Sequence, residues 1–444
     1  MKKSSLIGHA AEVYDLVLSQ PYPADSIIDT FFRSHKYLGS HDRRFIAETV
    51  YGMLRYKKRV DWLLQSTKEK FFRLIPEKRS YVTCLVYLVV VAKEEISSLV
   101  EEIKIGGEDS PEFVSVLNDV VTANTRFEKE QGANPKGAER ISIEYSYPLW
   151  MIEEWLHTFG EDETVRLCTS LNEPAPLTLR VNTLRTTVEE CQQALEKENI
   201  KSERTSLSPF GLNVKKRMNI FQLKIFQDGF FEVQDEGSQL VSFLVDPKPT
   251  SKVVDACAGG GGKSLALAAM MKNRGVIYAL DTNTHRLEGL RKRIRRSGVD
   301  TIRVRAVEEN VVPPDLLGAA DNVLVDAPCS GLGTIRRNPG MKWSVTPETI
   351  AELQVKQSAI LDHYAACVKI NGRLVYATCT MMKAENEDVV EKFLAAHPEF
   401  EIIEPTKILE RYHLDTLTKG KYFHLSPHIH GTDGFFAAVM RRRR

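Results

Sequence analysis

The run Val253-Val254-Asp255-Ala256-Cys257-Ala258-Gly259-Gly260-Gly261-Gly262-Lys263-Ser264 decides the fold. A strand over Lys252–Asp255 leads into four successive glycines, and a helix follows. Without Cβ atoms the turn lets a ligand approach the backbone closely. The helix N-terminus adds free N–H groups and a partial positive charge. Asp281 ends the next strand, 19 residues after Gly262, where a carboxylate can accept from both hydroxyls of a ribose. A flexible turn beside a capping acid is the plainer reading, but glycine loop plus strand-end acid favours nucleoside binding. Gly262-Lys263-Ser264 also ends like a phosphate-binding P-loop, yet Cys257 stands where that pattern needs its first glycine. Asp326 is followed by Ala327-Pro328-Cys329, which adds nothing to magnesium binding, so a nucleotide hydrolase is a minor alternative.

Outward from this loop the chain alternates strand and helix. Strands are expected at Lys252–Asp255, Val276–Asp281, 302–305, 322–326 and 373–377, with helices at 263–271, 284–297 and 347–369. Such alternation predicts an open, mostly parallel sheet with helices on both faces and ligands at the carboxyl ends of its strands. Two cysteines follow strands of that sheet, Cys329 in Asp326-Ala-Pro-Cys-Ser-Gly331 and Cys379 in Ala377-Thr-Cys-Thr380. Either alone reads as a small buried hydrophobe. Both at the ligand edge point to thiolate chemistry, and spacing alone does not say which one attacks.

Upstream, residues 1–139 read as helical, with amphipathic stretches beginning at Ala10, Ile27 and Phe45 and an apolar run from Tyr81 to Ala92. Gln131, Gly132, Asn134 and Pro135 signal a loop and a domain boundary. Residues 140–239 read as a small α+β module, in which 177–181 alternates like a strand and Thr187 can cap the following helix. Residues 240–444 carry the doubly wound pattern.

The 444 residues are 43% hydrophobic with a net charge of +1, which excludes a disordered or collagen-like chain. No apolar run approaches the roughly 20 residues a membrane helix needs. Lys2 and Lys3 precede apolar residues interrupted by His9, Glu12 and Asp15, a helix face rather than a signal peptide. Seven scattered cysteines without a C-x-x-C pair argue for a reducing cytoplasm and against a zinc ribbon. His424, His428 and His430 have no cysteine or acid at ligand spacing, so no metal site is expected. Arg291-Lys292-Arg293-Ile294-Arg295-Arg296 and Arg441 to Arg444 are basic clusters able to bind phosphate backbones. A solvated helix face and a solubilising tail are the plainer readings.

Eight stretches in order resemble the RNA cytosine-5 methyltransferase family of the bacterial ribosomal-RNA, Sun/RsmB type. They are Tyr145-Ser-Tyr-Pro-Leu-Trp150, Asn172-Glu-Pro-Ala-Pro-Leu-Thr-Leu-Arg-Val-Asn-Thr183, Val233-Gln-Asp-Glu-Gly-Ser-Gln-Leu240, Asp255-Ala-Cys-Ala-Gly-Gly-Gly-Gly-Lys263, Asp326-Ala-Pro-Cys-Ser-Gly331, Arg337-Asn-Pro-Gly-Met-Lys-Trp343, Tyr376-Ala-Thr-Cys-Thr380 and Asp433-Gly-Phe-Phe436. The helical first region resembles the NusB-like domain often fused to that family. The resemblance implies three parts: an all-α NusB-like bundle, a small α+β RNA-binding module, and an α/β Rossmann-like class I methyltransferase domain. Within the last domain, 434–440 is expected as an antiparallel final strand.

The resemblance further implies S-adenosyl-L-methionine as cofactor, held by Cys257, Ala258, Gly259, Gly260, Gly261, Gly262, Lys263, Asp281, Glu308 and Asp326. It assigns attack on carbon 6 of the cytosine to Cys379 and help in product release to Cys329, with Asp326 hydrogen-bonding N3 or N4 of the base. Arg337, Lys342 and Trp343 combine cations with a stacking surface suited to single-stranded RNA. The expected partner is RNA, 16S rRNA foremost with a transfer RNA still open, handled by a cytoplasmic monomer without metal or membrane. A non-catalytic RNA-binding assembly factor is the alternative. Two departures matter. Gly260 stands where the family has proline, which predicts a looser loop. Val307-Glu308-Glu309 stands where the family has an aspartate, leaving open which glutamate replaces it.

Overall fold

The computed structural model describes residues 1–20, 22–67, 69–74, 76–99, 110–129, 135–215, 218–309, 311–417 and 420–443. They fall into two compact units, Met1–Glu173 with Ile335–Ser344, and Pro174–Thr334 with Val345–Arg444.

The first unit is helical. The three amphipathic stretches form Lys3–Ser19, Ala24–Ser34 and Ser40–Arg55, and the apolar run forms the helix Pro76–Val90. Ile7, Val50, Leu63, Val82, Leu85 and Leu117 meet in one core. The boundary expected near 139 is not where this unit ends; Gln131, Gly132 and Asn134 lie outside the described residues. The helices Gly137–Glu144, Leu149–Phe159 and Glu161–Leu171 belong to it as well. They are held there because Tyr147, Met151, Ile152 and Trp155 are buried and Ser146 Oγ accepts the Lys58 N–H at 2.8 Å.

The second unit holds two sheets. The smaller is antiparallel, β1 (Leu177–Val181), β2 (Ser202–Arg204), β3 (Gly211–Val214) and β4 (Phe231–Val233), in the order β2-β3-β1-β4. Its helix Val188–Lys197 opens with a capping box: Thr187 Oγ1 accepts the Glu190 N–H and Glu190 accepts the Thr187 N–H.

The larger sheet comprises β5 (Lys252–Asp255), β6 (Val276–Asp281), β7 (Ile302–Ala306), β8 (Ala320–Asp326), β9 (Val368–Thr378), β10 (Phe400–Ile403), β11 (Phe423–Leu425) and β12 (Phe435–Arg442). Its order is β10-β12-β9-β8-β5-β6-β7, with β11 against β12. Neighbours from β7 to β9 are parallel, while β12 runs antiparallel to β9, as the family resemblance implies. The helix expected over 347–369 stops at Ala365, and β9 begins at Val368 rather than 373. Asn371, with φ of 64°, and Gly372 mark the irregular start of that strand, and alternation alone could not reveal it. The strand order reverses between β5 and β8, so the ligand crevice of this fold opens beyond Asp255 and Asp326.

Candidate active site

Beyond β5 the glycine run makes a tight turn. Gly261 caps the helix Gly262–Met270 in a left-handed conformation, φ 76°, and a Cβ there would lie 2.0 Å from Leu290 Cδ1. Asp281, ending β6, accepts the Gly259 N–H on one oxygen and the Asn283 N–H on the other, both at 2.7 Å. Each oxygen keeps a second lone pair, so the acid shapes the loop and can still receive ribose hydroxyls. A Cβ on Gly259 would meet nothing within 4 Å, so the loop is open on that side and fits a nucleoside cofactor. Under the loop, Asp255 is buried, accepts from Ser264 Oγ at 2.5 Å and leaves its other oxygen without a partner. Burial raises its pKa to about 7. Cys257 is likewise held as a thiol by burial. Glu308 is exposed just past β7, and Glu309 pairs with Lys356 at 2.5 Å.

The looseness expected at Gly260 is offset from outside. Arg293 Nη1 donates to the Gly260 carbonyl at 2.5 Å, and the same guanidinium lies 3.0 Å from Glu232 Oε2. Glu232, buried on β4, also receives Arg296 Nη2 at 2.5 Å and Ser297 Oγ at 3.1 Å. Two of the five cations in the basic run, Arg293 and Arg296, therefore turn inward, and Arg293 ties the glycine loop to the small sheet. Arg441 pairs with Glu401 across the β10–β12 ladder and Arg442 donates to the Val368 carbonyl, so these arginines end a strand rather than form a loose tail. Arg444 lies outside the described residues.

At the ends of β8 and β9 the two cysteines meet. Their sulfurs are 3.5 Å apart, both half-buried and free, and the Cys379 N–H points at Cys329 Sγ at 3.4 Å. The contact with Cys379, then burial, pushes the Cys329 pKa well up, so Cys329 stays a thiol. Asp326 Oδ2 takes the Lys263 ammonium at 2.6 Å. Burial opposes that charge, but Asp326 outweighs it and raises the Lys263 pKa. Lys263 thus holds and orients the Asp326 carboxylate. Beside Cys379 two glycines let three stretches of backbone touch. Gly333 N donates to the Cys379 carbonyl and Gly434 N to the Gly333 carbonyl, both at 2.9 Å.

Lys342 is corrected as an RNA contact. It lies in the first unit, fully buried, and its ammonium donates to Arg55 O at 3.0 Å, Ser146 O at 3.1 Å and Asn172 Oδ1 at 2.6 Å over the face of Tyr147. All three protons are used, and burial pulls its pKa well below an ordinary lysine's. Trp343 is half-buried against the same core and donates to Leu54 O at 2.6 Å. Arg337 is half-buried in the preceding turn. His424 faces Glu387 at 3.5 Å, and His430 contacts the Ser426 backbone. Among the described residues no group of three or more His, Cys, Asp or Glu could hold a metal, and no helix is long and apolar enough to cross a membrane.

Residues 242–441 match the model of the 16S rRNA methyltransferase RsmB/F family, and residues 147–221 match a RsmF/B-like ferredoxin-like domain. A probable ribosomal RNA small subunit methyltransferase B of Synechocystis is 34% identical over 94% of this chain and 95% of its own. One from Bacillus subtilis is 31% identical over the full length of both. The solved structure of PH0851, 27% identical, covers 100% of this chain and 99% of its own with a TM-score of 0.78. A methyltransferase homologue from Pyrococcus horikoshii, also 27% identical, covers 69% of this chain and 98% of its own at 0.59. With glycine loop, strand-end acids and paired thiols on one sheet edge, the chain belongs to the RsmB/F family of rRNA methyltransferases.

Proposed function

We propose that this chain methylates carbon 5 of a cytosine in 16S rRNA, using S-adenosyl-L-methionine, through a covalent adduct between Cys379 and carbon 6 of the base. The meeting of Cys329 and Cys379 at 3.5 Å without a disulfide carries this reading. Carbon 5 of cytosine is a poor nucleophile. Addition of the Cys379 thiolate to carbon 6 moves an electron pair toward carbon 5, and Asp326, held by Lys263, binds the N3–N4 edge and favours that addition. The cofactor supplies the methyl group. A base then removes the carbon-5 proton, the electron pair returns to the ring, and the Cys379 sulfur leaves. Cys329 assists the release, a role supported by its thiol lying beside that sulfur. Asp281, Gly259 to Gly262 and Glu308 line the cofactor side.

The N-terminal helices serve as a NusB-like RNA-holding domain, and the small sheet with Arg337 contributes further RNA contacts. The enzyme works in the cytoplasm as a monomer. The names of the Synechocystis and Bacillus relatives support the small-subunit substrate, and a Schizosaccharomyces pombe relative, 30% identical over 68% of this chain and 52% of its own, is named a 25S rRNA cytosine-C5 methyltransferase.

The test uses 16S rRNA and a denaturing gel. Cys329→Ala accumulates a slow RNA-dependent band, and Cys379→Ala gives neither band nor methylation. A band with Cys379→Ala instead makes Cys329 the nucleophile, and no band in either sinks the covalent route. Bisulfite sequencing of RNA with and without the gene locates the cytosine.

A further inference from the structure

Glu385 is the least expected charge near the thiols. It is fully buried in the turn Lys383–Glu385. Its Oε1 accepts the Ser330 N–H at 2.8 Å and Gln357 Nε2 at 2.9 Å. Its Oε2 accepts Ser330 Oγ at 2.5 Å and Thr380 Oγ1 at 2.9 Å, and those hydroxyls lie 2.8 Å apart. Ser330 is the residue after Cys329, and Thr380 the residue after Cys379. One carboxylate therefore grips the neighbour of each cysteine. The grip is anchored below: Tyr376 OH donates to Glu385 O at 2.6 Å, Thr378 Oγ1 to Asn386 Oδ1 at 2.5 Å, and Asn386 Nδ2 to Thr380 O at 3.2 Å. Gln357 ties the same network to Pro328 O at 3.0 Å. A buried carboxylate is costly unless its acceptor sites are filled, and here four donors fill them.

We propose that Glu385 is a positioning residue that locks the turns after β8 and β9 into one register and so sets the distance between Cys379 and Cys329. The inference rests on the two-thiol reading above. Its geometry explains why two separate loops present their sulfurs in contact. Removal of the carboxylate frees each turn to drift, and a drift of about 1 Å at a reacting atom is worth about 10²-fold in rate. The charge has a second consequence. It stands near Cys329 and adds to the contact and burial that keep that thiol protonated.

The test compares Glu385→Ala, Glu385→Gln and the pair Ser330→Ala with Thr380→Val in the full chain. Glutamine can turn its oxygen to Ser330 N and Gln357 and its amide to the two hydroxyls, preserving the brace without the charge. Glu385→Ala is expected to lose about 10²-fold in kcat per folded molecule, with the RNA KM and cofactor Kd within about twofold. Glu385→Gln restores most of kcat and lets Cys329 be alkylated at lower pH. If Glu385→Ala fails to fold, the hydroxyl pair decides: a matching kcat loss supports the brace. Full kcat per folded molecule in Glu385→Ala or, where that variant is unfolded, in the hydroxyl pair overturns the proposal. So does a loss confined to melting temperature or to cofactor affinity. Cys379→Ala is the control. If it stays active, the two-thiol reading fails; if it is dead while the braced variants are unaffected, only Glu385 is dismissed.

Discussion

Two glycine-bearing regions border the crevice, and they are fixed in opposite ways. Beside Cys379, backbone lies directly on backbone. A Cβ on Gly333 would stand 2.3 Å from the Gly434 carbonyl oxygen and 2.9 Å from that of Cys379. In the loop after β5, Gly260 is held by one long side chain reaching across from the helix Thr284–Ser297, and a Cβ would meet only Arg293 Nη1, at 3.1 Å. Gly333 meets backbone atoms first, whereas the loop is clamped by a guanidinium that can swing. The chemistry explains the division. In the proposed reaction the sulfurs need fixed positions, while a loop that holds a cofactor must admit one ligand and release another.

The largest effect should come from the rigid side. Gly333→Ala pushes into two carbonyls that cannot yield, so the Cys379 turn must move. We expect about a 10²-fold loss of kcat with the cofactor Kd unchanged. Isothermal titration beside single-turnover methylation checks this. A variant that loses cofactor affinity instead would erase the distinction between the two regions.

On the clamped side, Arg293→Ala removes a charged hydrogen bond worth about 1.5–3 kcal/mol and should weaken cofactor binding by that amount. The rate at saturating cofactor should stay near wild type. Glu232 would be left with Arg296 and Ser297, so the fold persists. An unchanged Kd would show that the loop holds itself.

The sequence made the ligand edge legible because its signals are local. Glycine runs, strand-end acids and cysteines after strands can each be read within about ten residues. It missed what arises from contacts distant in sequence. Arg293 looked like one more cation in a basic run, and only its meeting with Glu232, 61 residues away, turns it into a clamp. Lys342 looked like an RNA contact for the same reason: nothing nearby in the chain announces that Arg55, Ser146 and Asn172 take its protons. The helices after the loop signal near 139 carry buried aromatic faces that pack in the first unit, while the ferredoxin-like match begins at residue 147. Glu385 gave no signal, because a glutamate beside Asn386, Glu387 and Asp388 reads as a solvated face.

A smaller, graded effect tests the floor of the cofactor loop. Asp255, with its pKa raised to about 7, holds a proton in the native state that the unfolded chain releases near pH 4. Between those values the native state binds more protons, so this group's contribution to stability falls as pH rises. The slope is at most about 1.4 kcal/mol per pH unit. Asp255→Asn, neutral at every pH, should become progressively more stable than wild type from pH 5 to pH 7. Urea melts at three pH values check this. A constant difference would mean that Asp255 is already charged at pH 5.

The smallest effect sharpens the comparison most. Gly260 does not use a left-handed backbone, so alanine is sterically permitted there, and its methyl meets only the mobile end of Arg293. Displacing that end disturbs the 2.5 Å bond to the Gly260 carbonyl. Cofactor affinity should therefore drop by only about twofold, since such a contact yields by a few tenths of an ångström at a cost of about 0.5 kcal/mol. The same change in an Arg293→Ala background has no guanidinium to displace. There it should cost nothing, or regain about 0.4–1 kcal/mol because alanine narrows the loop's unbound ensemble. The double variant then binds cofactor better than the sum of the singles predicts, which is the signature of direct contact. Strict additivity would instead place the loop's shape in its own backbone, and the two regions would differ only in burial.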